Sequence, residues 1–330
     1  MRAFVALLAV AVLLGVVYVG AGLAGQHFIF GVLIPYAAIV LFLAGMVYRV
    51  LLWAGAPVPF RVPTVCGQQK SLPWIEQSRL ESPSSGLQVL GRMALEVLLF
   101  RSLFRNTRVA LTPAQRVVYQ SDKILWIVAL AFHWCFLIVF LRHMRFFLEP
   151  TPWLVTFLDS LDGFFQLTVP TFLITDAVIT VALLYLLGRR LFDSRVRYIS
   201  LPADYFALFL LLGVVVSGIF MRYITKVDLV KVKEFCIGLV TLQPVVGEGI
   251  GLPFFIHLTF VSALFAYFPF SKLVHMGGVF LSPTRNLANN NRMRRHVNPW
   301  NPEVEVHTYQ QWEDEFKDKL QAAGIALDRE

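Results

Sequence analysis

The sequence is poor in charge and in cysteine. Only 15% of its 330 residues are Asp, Glu, Lys or Arg, against 57% apolar, whereas about a quarter of a soluble domain is charged. There are three cysteines, Cys66, Cys135 and Cys236. None falls in a CxxC or any other metal-ligand spacing, which excludes an iron–sulfur cluster of the chain's own and a disulfide framework. Internal repeats, low-complexity tracts and a Gly-rich phosphate loop are also missing. With the mean hydropathy at +0.65 and the apolar residues in long runs, the chain reads as an integral membrane protein. Its net charge of +8 then reflects orientation in the bilayer rather than nucleic-acid binding.

A span needs about 20 apolar residues to cross roughly 30 Å of hydrocarbon. Six segments meet that length: Ala3–Leu23, Phe28–Trp53, Ile124–Leu148, Gln166–Leu187, Tyr205–Tyr223 and Leu252–Val274. The expected fold is therefore an all-α integral membrane protein, a bundle of six transmembrane helices. Residues 54–122 carry eight Lys or Arg against four acids, 189–203 four against one, and 276–300 four against none. In contrast, 149–165 has three acids and no base, and 225–251 has three of each. The two classes alternate, so the basic side is expected in the cytoplasm with both termini, the chain being a multi-pass protein of the cytoplasmic (inner) membrane. A signal peptide at Ala3–Leu23 is the alternative for the first helix, with only Arg2 as its basic region.

Within Leu87–Phe104, apolar Leu90, Met93, Ala94, Val97, Leu98, Phe100 and Phe104 recur at helical spacing, with Arg92, Glu96, Arg101 and Arg105 largely opposite. This predicts an amphipathic helix, either in the headgroup plane or packed in the ordinary way. After Val274 the chain turns polar, and Tyr309–Ala323 predicts a short charged helix. Such a tail is expected to lie along a soluble partner. The domain reading is an extra N-terminal helix (1–27), a main membrane domain (28–275) with its loop at 54–122, expected from the histidines described next to be a dihaem cytochrome b domain, and a docking tail (276–330).

Four of the seven histidines lie within or at the ends of two spans. His133 and His143 share the third, ten residues apart; His257 and His275 share the sixth, eighteen apart. At 1.5 Å per residue these separations are about 15 Å and about 27 Å, and eighteen residues make five full turns. The two helices run in opposite directions. His133 is thus expected to face His275 on the cytoplasmic side, and His143 to face His257 on the outer side. Each pair would hold one haem iron through two imidazoles, closing both axial positions as electron transfer requires. The roughly 12 Å mismatch in height has to be absorbed by tilt or slanted ligands. Helix–helix hydrogen bonding is the bland alternative for any one membrane histidine. Arg142, Arg145, Lys272 and Arg285 flank the pairs as propionate partners or as snorkelling cations. Asp176, placed in the middle of the fourth span with Thr180 one turn on, is either a proton relay for quinone chemistry or a buried structural hydrogen bond. Arg142, Phe146, Phe147 and Asp176 are the quinone-site candidates, chosen by position. A haem-free proton-conducting protein is the alternative from another class.

These histidine spacings resemble the respiratory nitrate reductase gamma subunit family over about residues 28–275. The flanks, Glu96-Val-Leu-Leu-Phe-Arg-Ser-Leu-Phe-Arg-Asn106, Ser282-Pro-Thr-Arg-Asn286, Arg295-His-Val-Asn-Pro-Trp-Asn301 and Val306-His-Thr-Tyr309, resemble the narrower DsrM family, the membrane cytochrome b of DsrMKJOP complexes in dissimilatory sulfur metabolism. The extra first helix fits that branch. The resemblance implies two b-type haems and oxidation or reduction of menaquinone/menaquinol near the outer haem. It also implies a tight DsrK-like cytoplasmic iron–sulfur subunit, a periplasmic multihaem cytochrome c, a ferredoxin-like subunit and a second membrane subunit. In that setting the chain is the quinone-reactive electron-transfer subunit of a membrane oxidoreductase. A gamma-type cytochrome b of a nitrate or heterodisulfide reductase stands beside this reading.

Overall fold

The computed structural model describes residues 1–57, 67–113, 116–163, 171–247, 249–293 and 305–328. Cys66 and the whole motif 295–301 lie outside them. The described chain is a helical bundle with one small hairpin. In order it forms α1 (Arg2–Val17), α2 (Ile34–Ala54), α3 (Gly86–Leu99), α4 (Arg101–Phe104), β1 (Thr107–Leu111), β2 (Val117–Ser121), α5 (Lys123–His143) and α6 (Trp153–Asp162). It continues with α7 (Ile174–Phe192), α8 (Ser194–Ile199), α9 (Pro202–Phe220), α10 (Leu229–Val240), α11 (Leu252–Tyr267), α12 (His275–Leu281) and α13 (Tyr309–Ala322).

Among the described residues, five helical stretches are long and apolar enough to cross a membrane: Arg2–Leu23, Ile29–Ala54, Lys123–Phe146, Pro202–Thr225 and Leu252–Phe270. Each overlaps an expected span. The sixth, expected at Gln166–Leu187, is found as α7, which starts eight residues later and carries Asp176 in its first turn and Arg189 and Arg190 in its last. Those charges keep it out of the apolar set, yet it lies side by side with α5 and α9. Residues 164–170 lie outside the described part.

α9 is the centre of the bundle, against α1, α7 and α11, with α5 on the far side of α7 and α2 on the far side of α11. The interior is a string of small clusters: Cys135, Ile179, Leu183 and Leu211 between α5, α7 and α9; Val10, Leu210 and Phe260 between α1, α9 and α11. Much of the apolar surface points outward instead, Val40 and Leu51 being 64% and 65% exposed. An apolar surface of that extent is stable in hydrocarbon and costly in water. Gly45 lets α2 cross the end of α11 closely, because a Cβ there would stand 2.7 Å from the Pro269 Cβ.

The basic loops gather at one end. Arg2 donates to the carbonyls of Tyr198 (3.0 Å) and Ser200 (2.9 Å), and Arg190 to the Ser200 hydroxyl. Buried Asp204 pairs with Lys272 at 2.8 Å, and Arg189 reaches Asp122 at 3.7 Å. These contacts place the start of α1, the end of α7 and the starts of α5 and α9 together, so successive bundle helices run in alternating directions.

The loop helix differs from expectation. It stops at Leu99, Phe100 takes a left-handed conformation (φ 50°, ψ 48°), and a single turn, α4, follows. The Ser102 amide and hydroxyl bind Glu96 (3.0 and 2.8 Å), while the indoles of Trp126 and Trp134 donate to the carbonyls of Leu99 and Leu98. Carbonyls that a continuing helix would satisfy are thus met by side chains of α5. Arg92, expected on the polar face, is buried. The β1–β2 hairpin, Thr107 opposite Ser121, was not anticipated; its five-residue strands are too short to show a clear period of two. The tail helix α13 agrees with the expected range. The tail's beginning, however, lies on the chain's own loop: Arg285 binds Ser102 and Glu96 (3.5 Å to the latter), and the Asn289 amide binds the Pro83 carbonyl.

Candidate functional site

α5 carries His133 and His143 on one helix, as expected. The partner histidines do not share one. α11 ends at Tyr267, Pro269 lacks the N–H that would continue it, and Ser271 is extended (φ −116°, ψ 177°). A second tight turn, Lys272–Val274, capped by the Ser271 hydroxyl, leads into α12, whose first residue is His275. The five-turn argument for a common face therefore fails, since it requires an uninterrupted helix. The break instead turns the chain so that both pairs meet.

The His143 and His257 rings lie with centres 6.3 Å apart and planes 17° apart; those of His133 and His275 lie 5.9 Å apart at 81°. Two imidazoles on opposite sides of one metal, each with a bond of about 2 Å and a further 1 Å or so from nitrogen to ring centre, stand about 6 Å apart. Both pairs have that separation.

The remaining ring nitrogens are all anchored. Nδ1 of His133 donates to the Ala129 carbonyl (2.8 Å), Nδ1 of His143 to Val139 (2.7 Å), and Nδ1 of His275 to Lys272 (2.9 Å). Nδ1 of His257 lies 2.9 Å from the Ser217 hydroxyl, which itself donates to the Val214 carbonyl at 3.0 Å and so accepts from the ring. With the proton on Nδ1, every Nε2 keeps its lone pair, which is how metal-bound imidazoles are held. Among the described residues no cluster of three or more His, Cys, Asp or Glu could hold an ion by itself. A metal shared by either pair would take its other ligands from a non-protein group, as iron does in a porphyrin. Gly218 on α9 gives the His257 ring its place, because a Cβ there would stand 3.3 Å from Cε1. Phe100 and Phe132 meet His133 edge-on, with centres 4.9 and 5.0 Å away, and Phe146 meets His143 at 5.9 Å. The residues present fit the group.

The four flanking cations are engaged by acids. Arg142 is buried, bonding Asp159 (3.0 Å), Asp162 and Thr175 (3.4 Å), and Arg145 pairs with Asp159 at 2.7 Å. Lys272 is on Asp204, and Arg285 on Glu96 and Ser102. Burial pushes the Asp159 carboxyl up, but Arg145 and Arg142 outweigh it and hold it below the usual carboxylate range. Phe146 and Phe147 pack on a cluster of Val17, Phe30, Phe235, Phe254 and Phe255 at the end of the bundle opposite the basic loops. Asp176 is not at mid-helix: α7 begins at Ile174, so its carboxylate sits near that same end. Thr180 bonds its backbone carbonyl at 2.6 Å, while the carboxylate accepts from Tyr223 at 2.9 Å.

Sequence reading overlooked Ser217 and Gly218, contributed by α9, and Tyr223, in the π-helical turn Met221–Thr225 that follows it. The available signal was a Ser-Gly pair and an Arg-Tyr pair interrupting one otherwise apolar span.

Residues 89–296 match the nitrate reductase gamma subunit family. The chain belongs to that family. The match starts at α3, so both α1 and α2 lie outside it, although the sequence resemblance was drawn from residue 28. Similar proteins include the "Hdr-like menaquinol oxidoreductase cytochrome b-like subunit" of Archaeoglobus fulgidus, 45% identical over 283 residues covering 83% of this chain and 84% of that protein. The subunit of the same description in Archaeoglobus profundus is 42% identical over 280 residues, 83% of each.

Proposed function

We propose that this gamma-family chain is the dihaem b subunit of a quinone-linked oxidoreductase, exchanging electrons between menaquinol and a cytoplasmic iron–sulfur partner. The observation that carries the reading is the pair of imidazole couples, both at metal-sharing separation with every Nδ1 anchored. His133 with His275 would hold one haem toward the basic end, and His143 with His257 the other. Bound there, bis-imidazole iron supplies one-electron transfer without an open coordination position. The chain's own residues fix imidazole tautomer and direction, keep the ring environment apolar and, with the helices between, set the two sites at different depths.

The named relatives favour menaquinol as the electron source. Quinol oxidation is assigned to the end near His143, where Phe146, Phe147, Arg142 and Asp176 gather. The excess of Lys and Arg assigns the basic end to the cytoplasm. There the two motifs that resemble DsrM meet each other, Arg285 of Ser282–Asn286 binding Glu96 and Ser102. That supports a DsrM-type role in sulfur metabolism with a DsrK-like partner on this face, and multihaem cytochrome c, ferredoxin-like and second membrane subunits completing the complex.

The test is b-haem quantified per purified chain, with dithionite and quinol reduction spectra. Two haems are expected, His133→Ala and His275→Ala each removing one, and His143→Ala and His257→Ala each removing the other. A purified chain without a reducible α-band would instead be a proton-conducting or anchoring protein.

A further inference from the structure

At the end of the bundle away from the basic loops, the last turn of the α9 span widens into a π-helical turn, Met221–Thr225. It brings two neighbouring polar side chains, Arg222 and Tyr223, to the start of α7. The Tyr223 hydroxyl accepts from the Leu173 amide at 3.0 Å and donates to Asp176 Oδ2 at 2.9 Å. Arg222 reaches the Thr171 carbonyl through Nη2 at 3.4 Å, while its Nε is buried without a hydrogen-bond partner among the described residues. A buried guanidinium N–H left without an acceptor costs free energy unless something else supplies one. The Asp176 carboxylate is half-buried, and His143, Arg142, Arg222 and Asp162 are near enough to act on it electrostatically. This end of the bundle thus holds a carboxylate, a phenol and a guanidinium whose buried Nε–H has no partner among the described residues.

We infer that Asp176 is the proton acceptor for quinol oxidation, that Tyr223 positions it, and that the unpartnered Arg222 Nε–H holds an oxygen of the quinone ring. This rests on the quinone-linked reading above. Oxidation of one quinol breaks two O–H bonds and releases two electrons and two protons. The haem that His143 and His257 would hold would supply the one-electron acceptor for these electrons, taken one at a time. The protons pass in succession to the Asp176 carboxylate, which sheds the first to water before taking the second. Arg222 and Tyr223 are assignments that the positional candidates did not include. Both oxygens of a para-quinol ring need polar partners, and this end supplies a donor and an acceptor of suitable kinds within one turn of each helix.

The experiment uses the full chain in lipid nanodiscs, with menadiol as the quinol and 2-heptyl-4-hydroxyquinoline N-oxide as a non-reacting quinone analogue. Asp176→Asn should slow menadiol-driven haem reduction about 100-fold, the size of a lost general base. Asp176→Glu should recover most of that rate. Arg222→Gln should weaken analogue binding about tenfold, as loss of a hydrogen bond does, whereas Tyr223→Phe should leave analogue binding near that of the parent and slow menadiol-driven reduction about tenfold, as loss of the bond that positions Asp176 does. Dithionite-reduced spectra and haem content should stay those of the parent chain. Parent-like menadiol rates in Asp176→Asn, or parent-like analogue binding in Arg222→Gln with haem intact, would overturn the inference and leave the dihaem reading standing. A parent chain without any α-band would remove the reading beneath it.

Discussion

Phe100 and His133 meet edge to face, ring centres 4.9 Å apart and planes at 87°. The contact depends on a backbone conformation that a phenylalanine rarely takes. At φ 50° the Phe100 Cβ crowds its own carbonyl, a cost of about 1–2 kcal/mol. The strain is held by the Trp126 and Trp134 indoles on the carbonyls before it and by Ser102 on Glu96 after it. The result is an aromatic cover over the histidine pair nearest the basic end.

Removing that cover should change one haem and not the other. In Phe100→Ala, water gains access to the His133–His275 side and stabilises the more highly charged oxidised iron, so the midpoint potential of that haem falls. The other haem, behind His143 and His257, keeps its potential. Spectroelectrochemical titration of the two α-bands checks this; equal shifts in both, or none in either, would refute it.

The His257 ring is held by Ser217 through one hydrogen bond and by the absence of a side chain at Gly218. Ser217→Ala should retain the fold but weaken haem binding at that pair by about 10- to 100-fold, the usual effect of losing the partner that orients a ligating imidazole. Gly218→Val puts a branched side chain where even a Cβ stands 3.3 Å from Cε1. It should leave close to one haem per chain. Pyridine haemochrome assay after gel filtration measures both, and two retained haems in Gly218→Val would contradict the placement of the ring.

Acid should release α6 from the bundle. Arg142 and Arg145 hold the Asp159 carboxyl below its usual range against the opposing effect of burial. For a carboxyl lowered in the folded state, the contribution is full above the unfolded value of about 3.9 and disappears as pH falls through the folded one. Protease sensitivity of 150–163 should therefore be low at neutral pH and rise steeply only below about pH 4. Asp159→Asn should be sensitive already at neutral pH, with a flatter acid response. A variant as protected as the parent at pH 7 would show that the clamp contributes nothing.

The membrane class, five of the helical stretches, the alternating loop charge and the pairing of His133 with His275 and of His143 with His257 were legible in the residues. Each depends on a property that is local along the chain: about 20 apolar residues must span, and a histidine in such a run needs a partner. The placement of Asp176 was misread for the same reason. Residues 166–187 look like one apolar run, but the chain at Leu173 is extended and α7 starts after it, which moves the carboxylate from mid-membrane to the end.

What only the tertiary structure decided is how partners distant in sequence meet. Periodicity put His257 and His275 on one face of one helix, whereas Pro269 and Ser271 interrupt that helix and the rings reach His143 and His133 by a different route. The choice of Tyr223 for Asp176, of Ser217 for His257 and of acids for Arg142 and Arg145 likewise depends on distances between helices. Hydrogen bonds and ion pairs form between atoms within a few ångströms, and a linear pattern of apolar residues carries no record of which helices pack side by side or at what height.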